Sequence, residues 1–370
     1  MKENNLLYKI AITQIDKVGS VLAKNLISYC GGVENVFLKS KKELSRIPGI
    51  GSAIIDEIVS NGALVKAEKI MMENERMKIK TLFYLDDDYP ARLKNYNDSP
   101  VILYAEGTGV FNNPRTLGIV GTRNATKRGK MIVDRIISEL REFDITIISG
   151  LAFGIDACAH EASIKNGIPN LAVMGSGINI TYPAEHSRMR DEIVLNGDVI
   201  SEFPPDTSPE KGHFPMRNRI IAGLSDALLV VESDLKGGAI ITANLAFDYN
   251  KDVFAVPGRI DDTYSRGTNY LIKSNIASLV DSATDICNAM NWGSTLSKRA
   301  YQLQMFTDLD VNEKKLAEIL KNSENDSLTI DEIHYLSGFT LGELSTILLN
   351  LEFKNVIENL PGSRYGLIKK

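Results

Sequence analysis

Glycine turns that carry an arginine or a lysine recur through the middle of the chain, and these residue types can hold phosphate. The first such turn, Gly121-Thr122-Arg123, precedes the amphipathic segment KRGKMIVDRIISELREF. Glycine lets a phosphate approach the backbone, the first turn of a helix offers unpaired N–H groups, and a guanidinium can donate two parallel hydrogen bonds. The pattern predicts an anion site; the alternative is a structural turn with a solvated arginine.

This turn does not match the standard nucleotide-binding motifs. GxGxxG is absent, and the P-loop pattern GxxxxGK[ST] fails because Met131 follows Gly129-Lys130. The predicted anion site is therefore neither a dinucleotide fingerprint nor an ATP-hydrolysing loop.

Further glycine turns and cations follow later in the chain. Tyr182, in the string GSGINITYP, could stack on a base or simply pack beside its proline. In HFPMRNRIIAGLS, Pro215 predicts the first turn of a helix, so that Arg217 and Arg219 face different sides; one can reach a groove while the other braces the domain. The residues predicted to contact phosphate or DNA are Gly121, Thr122, Arg123, Ser149, Gly150, Arg188, Arg217, Asn218, Arg219 and Lys236.

Catalytic and metal-binding patterns are sparse. The four histidines form no HExxH or other metal spacing, and no GxSxG nucleophile motif is present. We interpret Asp156, Glu202 and Glu232 as braces for arginines or loops rather than as general bases. The three cysteines lack CxxC spacing and are expected to be small buried hydrophobes. No catalytic residue, metal or cofactor is predicted.

The elements that must position these residues alternate between strand-like and helix-like runs from Thr116 to about Met290. Near-continuous apolar strands are typical of a parallel sheet covered on both faces, and such sheets bind ligands at the carboxyl ends of their strands. The predicted strands are residues 117–122, 145–150, 170–176, 198–203, 227–233, 252–258 and 277–282.

The flanks of this α/β region have a different character. Residues 1–75 are predicted to form short helices, and the glycine turn IPGIG resembles a helix-hairpin-helix. That turn could bind a phosphate, but few basic residues flank it, which favours a helix connection. Residues 76–290 form the predicted sheet domain with its lead-in, and residues 291–310 a linker. Residues 311–370 are predicted to form a winged helix whose third helix is acidic and leucine-rich, which suits a protein or intramolecular contact better than DNA.

Bulk properties restrict the class of protein. The 370 residues are 44% hydrophobic and carry a formal net charge of -5, so any nucleic-acid site must be a local basic groove. No apolar run approaches the roughly 20 residues that span a bilayer, and the N-terminus does not resemble a signal peptide. A cytoplasmic protein without membrane partners is expected.

The motifs together resemble the DNA-processing protein A (DprA/Smf) family. The strings that carry the resemblance, in chain order, are GIVGTRNAT, SGLAFGIDACAH, GSGINITYP, FPMRNRIIAGLS, GGAIITANLA, VPG and GTNYLI. The lead-in LDDDYPARLKNYNDSPVILYAEG and both flanking domains fit the family's three-part form. In the loop after Tyr182-Pro183, a member of the family can carry a basic residue that this sequence lacks. Arg188 is expected to take the place of that residue.

The resemblance implies a Rossmann-like domain that binds single-stranded DNA, forms a homodimer and delivers the strand to RecA recombinase during transformation or recombination. Single-strand-binding protein is a further implied partner. A different class remains open, because similar Rossmann-like folds occur in lysine-decarboxylase-like phosphoribohydrolases, which cleave nucleotides with a PGGxGT loop and a glutamate. Gly237-Gly238 resembles part of that loop, but its threonine and glutamate are missing. A nucleotide-binding module without catalysis is the third possibility.

Overall fold

The computed structural model describes residues 2–293, 309–321, 323, 327–354, 356–360 and 364–367. The chain divides into two compact units, Met1–Trp292 and Gly293–Lys370. The predicted helical domain and the predicted sheet domain thus belong to one unit. None of the helices in the described ranges has the length and apolar composition needed to cross a bilayer.

The N-terminal part of the first unit is entirely helical, as the sequence predicts. The turn between its fourth and fifth helices contains Gly49 at φ +82°, a left-handed conformation that glycine adopts without strain. The helices are α1 (Lys2–Ala11), α2 (Ser20–Cys30), α3 (Val33–Leu38), α4 (Lys41–Leu44), α5 (Ser52–Val59) and α6 (Gly62–Met77).

A single sheet of nine strands forms the centre of the unit, in the order β1-β2-β6-β5-β4-β3-β7-β8-β9. All seven strands that the sequence predicts are present. The two additional strands, β1 and β2, come from the lead-in and pair antiparallel, β2 with both β1 and β6. The remaining pairs are parallel. The strands are β1 (Lys80–Phe83), β2 (Ile102–Gly107), β3 (Thr116–Val120), β4 (Thr146–Ser149), β5 (Asn170–Met174), β6 (Asp198–Ser201), β7 (Ala227–Val230), β8 (Asp252–Ala255) and β9 (Ser278–Leu279).

Helices cover both faces of this sheet, so every residue of β3, β4, β5, β6 and β7 is buried. This explains the continuous apolar runs, because a strand buried on both faces has no polar side. The covering helices are α7 (Lys127–Glu139), α8 (Ile155–Asn166), α9 (Ser187–Asn196), α10 (His213–Leu224), α11 (Gly238–Asp248), α12 (Arg266–Lys273) and α13 (Ala283–Ala289).

The N-terminal helices share a hydrophobic core with the sheet. Ile10 and Leu26 belong to the same buried cluster as Ile102, Met174 and Val199. Lys24 on α2 adds hydrogen bonds to the carbonyl oxygens of Tyr96 and Asn97 in the lead-in. The helical part therefore packs against β2 and β6 instead of forming a separate globule.

The second unit has the predicted winged-helix order. Its helices are α14 (Val311–Lys321), α15 (Ile330–Ser337) and α16 (Leu341–Phe353), and its strands are β10 (Leu328–Thr329), β11 (Ile357–Leu360) and β12 (Arg364–Leu367). The strands β11 and β12 form the antiparallel wing, and β10 pairs with the other edge of β12. The predicted linker falls largely outside the described residues.

Candidate nucleic-acid interface

The turn after β3 is held in place by a carboxylate that follows β7. The side chain of Thr126 caps α7 by accepting a hydrogen bond from the Gly129 N–H at 3.0 Å. Glu232 accepts one from the Thr126 N–H at 2.9 Å, and its carbonyl oxygen accepts one from the Thr122 N–H at 2.7 Å. Glu232 therefore fixes the glycine turn, the bracing role that the sequence suggests for it.

Arg123 stands at the tip of this turn, exposed to solvent. Its guanidinium carbon lies 5.0 Å from the ring centroid of Phe214 at the start of α10, a cation–π distance. The ring of Tyr182 lies 5.7 Å from that of Phe214, and Tyr182 remains half-exposed. An arginine and two aromatic rings thus form one surface on which a nucleobase could stack.

Arg217, one turn later in α10, points inward rather than outward. Its side chain is only 4% exposed, and Nη1 donates a hydrogen bond to the Val173 carbonyl oxygen at 2.8 Å. Gly150 provides the space, because a Cβ there would overlap the guanidinium. Burial lowers the pKa of Arg217, while nearby Asp156 raises it. Since arginine stays protonated in proteins, this group is a permanent buried positive charge with an unpartnered Nε.

These groups meet in a cavity of about 370 Å³ at the carboxyl ends of β3 and β7. The residues from Gly121 to Asn124 form one wall, and Lys236 with the start of α11 forms another. Gly237 and Gly238, at the start of α11, line the cavity, so the positive end of that helix lies at the cavity, and Gly237 has no side chain to cap it. Of the ten predicted site residues, the cavity is lined by Gly121, Thr122, Arg123, Arg217, Asn218 and Lys236.

The carboxylates that line this cavity are already engaged. Asp156 accepts a hydrogen bond from the Gly150 N–H at 3.2 Å, and burial raises its pKa. Asp234 pairs with Arg266 at 2.7 Å, and the hydrogen bonds from Arg266 lower its pKa.

Positive charge is concentrated in the turn after β3 and at the start of α7. Arg123, Lys127, Arg128 and Lys130 are all exposed, and no acidic residue occurs between positions 121 and 133. This agrees with the expectation that an acidic chain must concentrate its cations if it binds a polyanion.

Four predicted site residues do not line the cavity. The Ser149 hydroxyl is fully buried and donates to the Ile119 carbonyl oxygen, while the Gly150 N–H donates to Asp156. Arg188 is 92% exposed on α9 and pairs with Glu192 at 2.9 Å. Arg219 pairs with Glu202, whose carboxylate also accepts a hydrogen bond from Ser20 on α2. Arg219 thus braces the sheet against the helical part.

The histidines of the described residues are not part of a metal-binding group. Within the described ranges no three histidine, cysteine or carboxylate side chains are grouped closely enough to hold a metal ion. His160 is fully buried, with Nδ1 2.8 Å from Asn170 Oδ1, and burial lowers its pKa to about 4. His160 is a neutral packing residue, as its place in a helix suggests.

Comparison with known proteins agrees with this architecture. A family model described as DNA recombination-mediator protein A matches residues 80–291. Models for the DprA winged helix domain and for a SAM-like helix-hairpin-helix tandem match residues 308–363 and 10–61.

Individual relatives cover most of the chain. Protein Smf from Synechocystis is 30% identical over an alignment of 396 positions. The alignment covers 99% of this chain and 99% of that protein. The crystal structure of DNA processing protein A from Streptococcus pneumoniae has a TM-score of 0.66 and 32% identity, covering 76% of this chain and 97% of that chain. The corresponding protein from Helicobacter pylori, whose structure concerns its mode of single-stranded DNA binding, has a TM-score of 0.53 and 30% identity over 58% of this chain and 95% of that chain. With its sheet domain, winged helix and helical N-terminus all matched, the chain belongs to the DprA/Smf family.

Proposed function

We propose that this protein binds single-stranded DNA in the cavity at the carboxyl ends of β3 and β7. The observation that carries the proposal is the convergence of Arg123, Arg217 and Lys236 with the uncapped start of α11. Cations and a helix N-terminus bind the phosphate backbone without reading sequence. The H. pylori relative, described for its single-strand binding mode, supports the same ligand class.

The aromatic surface beside the cavity favours a single strand over a duplex. Phe214 and Tyr182 can stack only on bases whose faces are open, and each such contact contributes about 1–3 kcal/mol. The bases of a duplex are already stacked on one another. Binding through phosphates and stacking together is therefore expected to prefer unpaired strands.

A titration of labelled oligonucleotides tests this proposal directly. Fluorescence anisotropy of a single strand and of the matching duplex is expected to show tighter binding of the single strand at equal salt. Neutralising three phosphates predicts a slope of log K against log salt of about -2 or steeper. Equal affinity for duplex and single strand would contradict the proposal.

We infer from the family that the bound strand is handed to RecA recombinase. The cavity's carboxylates are engaged, the described residues group no metal ligands and the sequence has no P-loop, which suits a mediator rather than a nuclease or a motor. The protein is expected to speed RecA filament assembly on strands coated with single-strand-binding protein, without hydrolysing ATP itself. The increase in the rate of filament assembly should become smaller as the salt concentration rises, because it depends on phosphate contacts. No acceleration, or equal acceleration by Arg123→Glu, would rule out this role.

The nucleotide-cleaving alternative has a separate test. Gly237 and Gly238 do line the cavity, but Asp156 and Asp234 are both occupied by hydrogen bonds or an ion pair. Incubation with nucleoside monophosphates is expected to release no free base, as chromatography of the products would show. Release of base would overturn the non-enzymatic role.

A homodimer formed through the sheet domain is the remaining part of the proposal. The strand β9 lies at the edge of the sheet, so one side of it has no neighbouring strand. Phe247 and Leu279 are half-exposed there and line a groove with Ile272 and Ile276. An exposed sheet edge with apolar side chains is a surface on which a second copy can pack.

A further inference from the structure

The helix α16 is apolar on two opposite sides. One side packs into the winged-helix core through Leu344, Ile347, Leu348 and Leu351. The opposite side exposes Leu349 and Phe353, which are 51% and 78% accessible. These two residues are four positions apart, so they lie about 40° apart on one side of the helix. We call them the α16 stripe.

Negative charge surrounds this stripe. Residues 330–353 contain four carboxylates and neither lysine nor arginine. Glu332 and Glu343 complete the capping boxes of α15 and α16 with Thr329 and Thr340. Hydrogen bonds from these threonines lower the pKa of both glutamates, which therefore remain ionised at neutral pH.

The capped helix starts are a poor surface for nucleic acid. A recognition helix usually presents its N-terminal residues and its positive dipole end toward the DNA. In α16 that end is already occupied by Thr340 and by the Glu343 carboxylate, with a hydrogen bond from the Thr340 N–H to Glu343 at 2.9 Å. A phosphate there would meet a fixed negative charge.

The neighbouring cations stabilise the winged helix itself. Lys354, at the end of α16, pairs at 2.6 Å with the nearly buried Glu313. Arg364 donates to the Ser327 carbonyl oxygen at 2.7 Å, and Lys315 donates to the Ser337 carbonyl oxygen at 2.8 Å. These three cationic side chains are therefore oriented by contacts within the unit and not toward a phosphate backbone.

We propose that the α16 stripe is a docking site for an amphipathic helix of a protein partner, with apolar residues on one face and lysine or arginine beside them. Leu349 and Phe353 are one turn apart, about 6 Å along the helix, which matches two anchoring side chains at i and i+4 of a partner helix. The basic flanks would lie against Glu343 and Glu352. A second copy of α16 fits less well, because its own carboxylates would meet these two.

Peptide display on phage tests the proposal with a defined probe. Random sixteen-residue peptides are selected on the full-length protein, with counter-selection on the Leu349→Ser/Phe353→Ser double variant. The enriched peptides are expected to carry apolar residues at helical spacing and a net positive charge. A synthetic enriched peptide should bind the double variant at least tenfold more weakly than the native protein, by fluorescence anisotropy.

The matched control is Val311→Ser, which removes an equally exposed apolar side chain from α14 of the same unit. This variant should bind the peptide like the native protein, and all three proteins should give the same circular dichroism spectrum. The substituted side chains are exposed, so the fold is expected to survive. Charge reversal by Glu352→Lys should weaken binding of the basic peptide severalfold.

Several results would overturn the proposal. These are the absence of enriched peptides, enrichment of acidic or neutral peptides, and equal binding by the double variant. Binding of duplex DNA that is lost in the double variant would assign the stripe to nucleic acid instead. Self-association that disappears in the same variant would assign it to a second copy of the chain.

Discussion

At the scale of single residues, the arginines two positions apart in α10 show how one helix serves two purposes. Arg217 lines the cavity, whereas Arg219 pairs with Glu202 near α2. Side chains two positions apart on a helix point about 200° away from each other. Arg217 and Arg219 therefore reach opposite sides of α10. The sequence predicts that the two arginines face different sides, and the structure places Arg217 at the cavity and Arg219 beside Glu202.

The substitution Arg123→Glu is expected to weaken single-strand binding at least tenfold while leaving the fold intact. The side chain is exposed, and the change reverses the charge at the start of α7, where a phosphate would bind. The matched control is Arg188→Glu, since Arg188 is equally exposed but lies outside the cavity. Dissociation constants at fixed salt measure both variants. An Arg123→Glu protein that binds like Arg188→Glu would remove Arg123 from the site.

The buried His160 predicts that stability falls in weak acid. Its folded pKa of about 4 lies below the ordinary value of 6.5, so between these pH values the unfolded chain binds a proton that the folded chain does not. The contribution of the neutral His160 to the free energy of unfolding is complete above pH 6.5 and is lost as the pH falls toward 4. The full loss is about 3 kcal/mol.

Urea unfolding from pH 7 to pH 4 measures this effect. The fluorescence of Trp292, the single tryptophan, reports the transition because its side chain lies in the core of the first unit. His160→Gln should flatten the pH dependence relative to the native protein, whereas the exposed His334→Gln should leave it unchanged. Parallel curves for the native protein and His160→Gln would contradict the prediction.

Several site residues could be found from the sequence, and others could not. Glycine turns and cations mark Gly121, Arg123 and Lys236 because phosphate binding depends on local residue types. The role of Gly150 depends instead on the Arg217 guanidinium, which arrives from a helix almost seventy residues later. Phe214 is not among the residues predicted from the sequence, although it precedes the arginines in the string HFPMRNR. Its contacts with Arg123 and Tyr182 become visible only in the structure.

At the scale of elements, helix starts and buried strands follow from local chemistry. The capping boxes Ser282–Asp285, Thr329–Glu332 and Thr340–Glu343 start helices, because a hydroxyl and a carboxylate three residues apart satisfy backbone N–H groups of the first turn. The strands end one to three residues earlier than predicted, because the apolar and glycine residues that follow already belong to the turns. The strands β1 and β2 are not among the predicted strands; β1 pairs with β2, and β2 joins the sheet through β6, which lies almost one hundred residues later in the chain.

Removal of residues 305 to 370 is expected to leave single-strand binding almost unchanged. The winged helix has an acidic third helix, and Lys315, Lys354 and Arg364 are engaged within the unit. The residues around the cavity all belong to the first compact unit. A loss of more than about 2 kcal/mol in binding free energy, comparable to a strong bidentate base contact, would show that the winged helix binds DNA.

At the scale of the whole molecule, the β9 edge is expected to join two copies. Leu279→Asp would replace a half-exposed apolar side chain in the groove at this edge by a charge, and desolvation of that charge should disfavour association. Sedimentation velocity is expected to show a dimer for the native protein and a larger monomer fraction for the variant. The exposed Leu195→Asp, on α9, is the control and should remain dimeric. A monomeric native protein would refute the dimer.

The pairing of β2 with β6 also bears on how the chain is made. On one side Tyr104–Gly107 pair with Asp198–Ser201, and Val199 belongs to the core that the N-terminal helices share. During translation, α1 to α6 emerge from the ribosome well before that strand exists. Part of the apolar face of the nascent helices therefore stays uncovered until more than half of the protein has been synthesised, the interval in which a chaperone can hold it.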